Sequence, residues 1–211
     1  MAGVRTSILC PHADHPVNAW LELWADRKDT RVDRSIEDLP GGDFLFLISC
    51  DVIVPKEARQ KYRHVLVIHA SDLPADRGWS PHIWAILEGR SEITVSLLNA
   101  DDPVDSGDIW RQEQLSFAGT ETCDEINARL FEAELRLMDW ALDNCDSAEP
   151  RKQKGEASYR PRRHPNDSEV RPDQTIAEIF DLLRVSDPNR YPAHFYHRGE
   201  KYVIAFRKAG D

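Results

Sequence analysis

Buried-strand patterns alternate with helical patterns through the first half of the chain, and this alternation most constrains the fold. Phe44–Ile48 and Val65–Ile68 are continuous apolar runs, as in strands of a parallel sheet covered on both faces. Ile93–Leu98 is a further strand pattern, and apolar side chains at helical spacing mark Pro16–Lys28 and Ser80–Glu88 between the strands. The alternation predicts an open, mainly parallel, Rossmann-like α/β sheet with helices on both faces.

Two capped helices are predicted beyond this region. Thr122-Cys123-Asp124-Glu125 is a capping box, and it opens a long helix that reaches about Asn144. Thr175-Ile176-Ala177-Glu178 is a second one, after a polar, proline-rich stretch. Each helix is therefore expected to begin at its threonine.

A hairpin is predicted at the end of the chain. Its strand patterns are Tyr191–Tyr196 and Lys201–Phe206, which Arg198-Gly199-Glu200 separates. We therefore expect a sheet domain over residues 1–146 and a small helix-and-hairpin extension over residues 147–211.

The acidic composition limits the partners of the chain. Its formal net charge is −10, so a surface for nucleic acid is not expected. No apolar run approaches the roughly 20 residues of a membrane span, and no signal-peptide pattern is present. The four cysteines are widely spaced without a C-x-x-C pair, which predicts neither a metal site nor disulfides. A cytoplasmic protein is expected.

One basic segment interrupts the acidic chain. Residues 151–164 carry six Lys and Arg against Glu156 alone, a local net charge of +5. Such a segment suits a small anionic ligand, and a solvated linker is the alternative that composition leaves open. The turn Pro11–His15 lacks the G-x-G-x-x-G spacing, so a dinucleotide site of the Rossmann type is not predicted.

His69 and Asp105 are the candidate catalytic pair. His69 ends an apolar strand, and Asp105 follows the next strand pattern, just before Ser106-Gly107. We expect both at the carboxyl ends of two strands, where open α/β sheets build their active sites. A structural histidine and a turn aspartate are the alternatives.

Four pieces of sequence around this pair carry a family resemblance. They are His69–Pro74, Arg77-Gly78 with Pro81, Ile93–Val95 and Asp105–Ile109. In this order they resemble the formyltransferase family that uses 10-formyltetrahydrofolate, over about residues 45–144. The resemblance implies an enzyme with that cosubstrate.

The C-terminal part resembles one branch of the family. The tail of nucleotide-sugar N-formyltransferases is similar to this chain at Gln153, Tyr159, Arg162–Ser168 and Arg190–Ala193. The short pseudaminic-acid-pathway type also shares the residue pattern around His69. This implies formyl transfer to the amine of a UDP- or dTDP-linked deoxy-amino sugar in surface-glycan biosynthesis. A homodimer is left open.

The resemblance also implies residue roles. His69 is the general base or proton relay, and Asp105 orients it. The family asparagine that helps to bind the oxyanion is Val67 here, so a backbone N–H, His69 itself or Asn99 is left as the donor.

The ligand-binding residues are likewise implied. The folate pocket is expected from main chain at two strand ends, with Cys50 as a small buried residue rather than a nucleophile: Ile48, Ser49, Cys50, Asn99, Asp101, Asp102 and Val104. The acceptor is expected to contact the loop after His69 and the C-terminal arginines: Ser71, Arg77, Gly78, Trp79, Arg162, Arg163, Arg190 and Tyr191. Packing by Trp79 and solvation of the arginines are the alternatives.

Three rival functions are considered. A glycinamide ribonucleotide formyltransferase fits the length but does not explain Arg162–Ser168 and Arg190–Ala193. A methionyl-tRNA formyltransferase is expected to need a further basic domain. A folate- or nucleotide-binding module without catalysis is the third, because of Val67.

Overall fold

The central element of the fold is a six-stranded sheet. The structure is a computed structural model that describes residues 3–209. Within them the sheet order is β2-β1-β3-β4-β6-β7, and two strand pairs, β5 with β8 and β9 with β10, lie outside it. The strands are β1 (Thr6–Leu9), β2 (Val32–Asp33), β3 (Gly42–Leu47), β4 (Tyr62–His69), β5 (Arg77–Gly78), β6 (Glu92–Asn99), β7 (Ile109–Ser116), β8 (Tyr159–Arg160), β9 (His194–His197) and β10 (Glu200–Val203).

Helices cover both faces of the sheet, so the predicted fold class is confirmed. One face packs on α1, α3 and α4 through a large core that includes Trp24, Phe46 and Leu137. The other face packs on α2 and a short 3-10 turn through Leu45 and Leu47. The helices are α1 (Asn18–Arg27), α2 (Lys56–Arg59), α3 (Pro81–Leu87), α4 (Cys123–Asn144) and α5 (Ile176–Val185).

Strand direction differs from the expectation at one strand. The strands β1 to β4 are parallel, but β6 runs antiparallel to both β4 and β7. Asn99, at the end of β6, therefore pairs with Leu66, while His69 pairs with Ser96. The expectation that His69 and Asp105 lie at equivalent strand ends is thus wrong.

Both predicted capping boxes are present. Thr122 and Glu125 exchange hydrogen bonds at the start of α4, and Thr175 with Glu178 does the same at α5. These bonds satisfy amide groups that the first helical turn leaves without partners.

The C-terminal residues form a small second core and also extend the site. Ile179, Leu183 and Ala193 pack together below the β9–β10 hairpin, which is shorter than predicted and begins at His194 because Tyr191 and Pro192 belong to a bend. The segment before α5 returns to the sheet domain, where Arg151 pairs with β7 and β8 pairs with β5. The boundary at residue 146 stays a prediction.

None of the described helices is long and apolar enough to span a membrane.

Candidate active site

His69 and Asp105 lie side by side in the folded chain. His69 is the last residue of β4, and its Nδ1 lies 3.6 Å from Oδ2 of Asp105. Both side chains are almost fully buried, at 7% and 6% exposure. At this distance, and away from bulk water, the carboxylate and the ring interact directly.

The loop from Ala100 to Asp108 brings Asp105 to His69 by turning back over the sheet. The Ala100 N–H donates to Val65 O at 2.8 Å, and the Asn99 N–H donates to Asp108 O at 3.0 Å. Gly107 makes this closure possible, because a Cβ at that position would lie 2.0 Å from the Asn99 oxygen. Asp105 itself has a positive φ of 59°, a conformation that aspartate adopts more readily than most residues.

Two contacts hold Asp105 in place. Its Oδ2 accepts from the Gly78 N–H at 2.9 Å. The Gln153 side-chain amide donates to the carbonyls of Asp105 and Gly107, at 2.8 and 2.9 Å. The Arg77 guanidinium in turn donates to Gln153 at 2.6 Å. The segment after α4 therefore fixes the position of the carboxylate.

Asp76 fixes the other side of His69. Its main-chain oxygen lies 2.9 Å from Nε2 of His69. Its carboxylate contacts Arg90 at 2.8 Å and Arg160 at 2.6 Å. Burial opposes the charge on Asp76, but the hydrogen bonds from Arg90 and Arg160 outweigh it and lower the pKa of the carboxyl. This ion pair network braces the loop that orients the histidine.

A single cavity contains most of the predicted site residues. Its volume is about 550 Å³, and it crosses the carboxyl edge of the parallel strands. The predicted site residues that line it are His69, Asp105, Ser49, Cys50, Asp101, Asp102, Val104, Gly78, Trp79, Arg162, Arg163, Arg190 and Tyr191.

Four predicted site residues lie outside the lining of this cavity. Ile48 is packed in the core beside β3, and the Ser71 hydroxyl donates to Ala75 O at 2.8 Å. Arg77 is bound to Gln153, as described above. Asn99 Oδ1 accepts a hydrogen bond from Trp110 Nε1 at 2.7 Å. The side chains of these residues are committed to structural contacts.

The two ends of the cavity differ in character. At the β3–β6 side, Leu47, Val67 and Ala100 form an apolar floor beside Ser49, Cys50, Asp101 and Val104. An apolar floor of this kind suits a flat heterocycle, and the buried Nε atom of half-buried Arg59 has no partner among the described residues. Burial raises the pKa of the Cys50 thiol to about 11, which disfavours a thiolate nucleophile. The β3–β6 side therefore fits the implied folate.

The α4 side of the cavity is bounded by His15, Phe131 and Glu134. Cations also line the cavity: the guanidinium of Arg162 stacks on Trp79 at 4.4 Å from the ring centre and lies 3.7 Å from the Asp51 carboxylate. Arg163 and Arg190 line the same region. Residues 3–209 contain no cluster of His, Cys, Asp or Glu side chains that could hold a metal ion.

Sequence reasoning missed Asp76 and Glu134, and it named Gln153 only as part of the family resemblance, without a role in the site. Asp76 and Gln153 act through partners far along the chain, and no local pattern indicates those partners. Glu134 had a signal, since it stands four residues after Leu130 and three before Leu137, on the buried stripe of α4.

Comparison with known proteins assigns the family. The family model described as formyl transferase matches residues 22–142, more than half of the chain. The chain belongs to the formyltransferase family. A methionyl-tRNA formyltransferase from Thermodesulfovibrio yellowstonii is 26% identical over 164 residues, which are 76% of this chain and 53% of that protein. The chain thus spans about half the length of this curated relative.

Solved formyltransferase structures share the fold. Methionyl-tRNA formyltransferase from Clostridium thermocellum superposes with a TM-score of 0.80 at 24% identity, covering 98% of this chain and 95% of that one. HypX from Aquifex aeolicus, in complex with tetrahydrofolic acid, gives 0.80 at 20% identity, covering 96% and 37%. A sugar N-formyltransferase from a Shewanella species gives 0.72 at 15% identity, covering 95% and 96%. At these identities the likeness concerns the fold.

Proposed function

We propose that this formyltransferase moves a formyl group from 10-formyltetrahydrofolate to the amine of a nucleotide-linked deoxy-amino sugar. The observation that carries the proposal is the shared cavity: on an acidic protein, the His69–Asp105 pair, an apolar floor and a group of arginines all line it. The apolar floor suits folate, and the arginines suit a diphosphate.

His69 acts as the base in this proposal. The carbonyl of Asp76 can only accept a hydrogen bond, so Nε2 carries the ring proton. The distance of 3.6 Å to Asp105 is too long for a hydrogen bond, so the lone pair of Nδ1 is free. Nδ1 accepts the proton that the attacking amine loses and returns it to the leaving folate nitrogen.

Asp105 makes this proton transfer favourable. Its carboxylate, held by the Gly78 N–H, balances the positive charge that His69 gains. The imidazolium then lies next to the formyl oxygen as negative charge develops there, which supplies the stabilisation that Val67 cannot give. Because Asn99 lies outside the lining of the cavity, His69 and backbone N–H groups are the remaining donors.

The arginines provide the contact to the nucleotide. A base can stack on the Trp79–Arg162 pair, and the Arg163 and Arg190 guanidinium groups can bind the diphosphate. Reversal of charge at Arg162 and Arg163 is expected to raise the KM for the sugar nucleotide by about 10-fold or more, since a charge-assisted hydrogen bond contributes about 1.5–3 kcal/mol. Folate binding should be unchanged. The control is Arg171→Glu, an exposed arginine outside the cavity.

Methionyl-tRNA is the second candidate acceptor, because the curated relative from Thermodesulfovibrio yellowstonii carries that activity in its name. The deciding experiment measures tetrahydrofolate release by purified protein with 10-formyltetrahydrofolate and one acceptor at a time. The acceptors are UDP- and dTDP-linked amino sugars, methionyl-tRNA and glycinamide ribonucleotide. Turnover with a sugar nucleotide supports the proposal. Turnover with only one of the other two reassigns the substrate, and none at all indicates a binding module.

A further inference from the structure

Glu134 is a buried carboxyl that the proposed reaction does not use. It lies on the inward face of α4 with 7% of its surface exposed. It borders the cavity, and its Oε2 has no hydrogen-bond partner among the residues that the structure describes. A buried polar group without a partner costs about 1–3 kcal/mol, so such a group facing a cavity calls for a ligand.

Glu134, His15 and His82, which all line this cavity, are uncharged near neutral pH. Burial raises the pKa of Glu134 itself to about 8. Burial, with the nearby Arg190 cation, lowers the pKa of His15 to about 4, and burial lowers that of His82 to about 4. These three groups therefore differ in charge from the arginines that line the same cavity.

His15 is also fixed in one tautomer. Its Nδ1 accepts from the Val17 N–H at 3.2 Å, so in the neutral ring Nε2 carries the proton. His15 and a neutral carboxyl together offer N–H and O–H donors and a carbonyl acceptor. An uncharged partner that both donates and accepts matches this set, whereas a phosphate or an ammonium group does not.

The position of Glu134 separates it from the folate. Glu134 and Phe131 belong to α4, and the ring centroid of His15 lies 6.1 Å from that of Phe131, whereas the apolar floor of Leu47, Val67 and Ala100 belongs to the β3–β6 side. His69 stands between the two, so a ligand on the α4 side is the formyl acceptor.

We propose that Glu134, with His15, recognises an uncharged hydroxyl or acetamido group on the sugar ring of the acceptor. The inference rests on the proposed function and deepens it, because it makes Glu134 a specificity-determining residue for the acceptor. The arginines bind the charged part of the same molecule, and Glu134 with His15 selects its neutral part. Removing the matching group from the sugar leaves the Glu134 carboxyl without its partner.

The test measures kcat and KM for both substrates in wild type, Glu134→Gln and Glu134→Leu. The acceptor is the sugar nucleotide that wild type formylates best, and its deoxy and deacetamido analogues are measured beside it. The Glu134→Gln side chain keeps the shape of glutamate and one donor and one acceptor. The KM of this variant for the acceptor should therefore stay within about threefold of the wild-type value. Leucine should raise the acceptor KM by about 10- to 100-fold with the 10-formyltetrahydrofolate KM unchanged. Glu132→Gln, exposed on the same helix, is the matched control.

The analogues show which hydroxyl or acetamido group of the sugar Glu134 recognises. Wild type should lose affinity for one of them, and Glu134→Leu should not discriminate that analogue from the full acceptor. An acceptor KM in Glu134→Leu equal to that of wild type overturns the inference and leaves the proposed function standing. If wild type formylates no sugar nucleotide, the proposed function fails first and the inference with it. Far-ultraviolet circular dichroism of each variant confirms that the fold is kept.

Discussion

The Nε2 atom of His69 lies 2.9 Å from the main-chain oxygen of Asp76, and this contact decides which ring nitrogen can act as a base. A carbonyl accepts only, so the free lone pair of the neutral ring is on Nδ1, which faces Asp105. The orientation of the His69 ring is thus set by a backbone atom of the loop after β4.

His69→Gln should lower kcat about 100-fold or more, because general acid–base catalysis contributes roughly 10²–10⁴-fold. The KM values should change little, since the side chain acts on the moving proton. Steady-state kinetics checks this, with thermal unfolding to confirm the fold. A kcat within threefold of wild type would remove His69 from the mechanism.

Asp105→Asn should also lower kcat, by about 10- to 100-fold, because the amide removes the charge that balances protonated His69. Its side-chain oxygen can still accept from the Gly78 N–H, so folding should be unaffected. The matched control is Asp108→Asn in the same loop, which should keep wild-type turnover. Equal rates for Asp105→Asn and wild type would show that the carboxylate has no catalytic role.

Asp76→Asn should destabilise the protein by about 1–3 kcal/mol at pH 7, because Arg90 and Arg160 lose their shared carboxylate. The pKa of Asp76 is lower in the folded protein than its ordinary value of 3.8. Its contribution is therefore complete above that value and is lost as the pH falls through the folded-state pKa. Urea titrations at pH 7, 5 and 3 should show the gap between variant and wild type closing only at the lowest pH.

Glu134→Gln should change the pH dependence of stability in the opposite sense. The pKa of Glu134 is raised from 4.5 to about 8 in the folded protein, so the folded state holds a proton that the unfolded state has lost. Wild type should therefore lose stability as the pH rises from 4.5 towards 8, by a few kcal/mol, and the variant should not. Denaturant titrations of both proteins from pH 5 to 8 isolate this effect in the difference between the two curves, because His15 and His82 contribute equally to each. Parallel curves would mean that Glu134 is ionised in the fold.

The thiols should resist alkylation in the folded protein. Burial raises the pKa of Cys50 to about 11 and of Cys123 and Cys145 to about 12. Because the thiolate is the reactive form, iodoacetamide at pH 7.5 should label these positions at least about 10-fold more slowly than in denaturant. Peptide mass spectrometry over time measures the rates. Rapid labelling of Cys50 would restore it as a candidate nucleophile.

The sequence was informative where local patterns decide structure. Apolar runs located β3 and β4, and both capping boxes located the starts of α4 and α5. The direction of β6 was not predictable, because side-chain periodicity is the same in parallel and antiparallel strands. The Asp76–Arg160 contact joins residues 84 positions apart, and only the folded chain brings them together.

The close contact of Gly107 with Asn99 has a consequence for how this site can vary. The loop between these residues is closed at its base, so an inserted residue would move Asp105 away from His69 while the sheet register stayed the same. Side chains such as Asp101 and Val104 are exposed and can be exchanged freely without that displacement. The length of this loop therefore preserves the position of Asp105 relative to His69. Changes in its amino-acid composition are where new ligand preferences can arise.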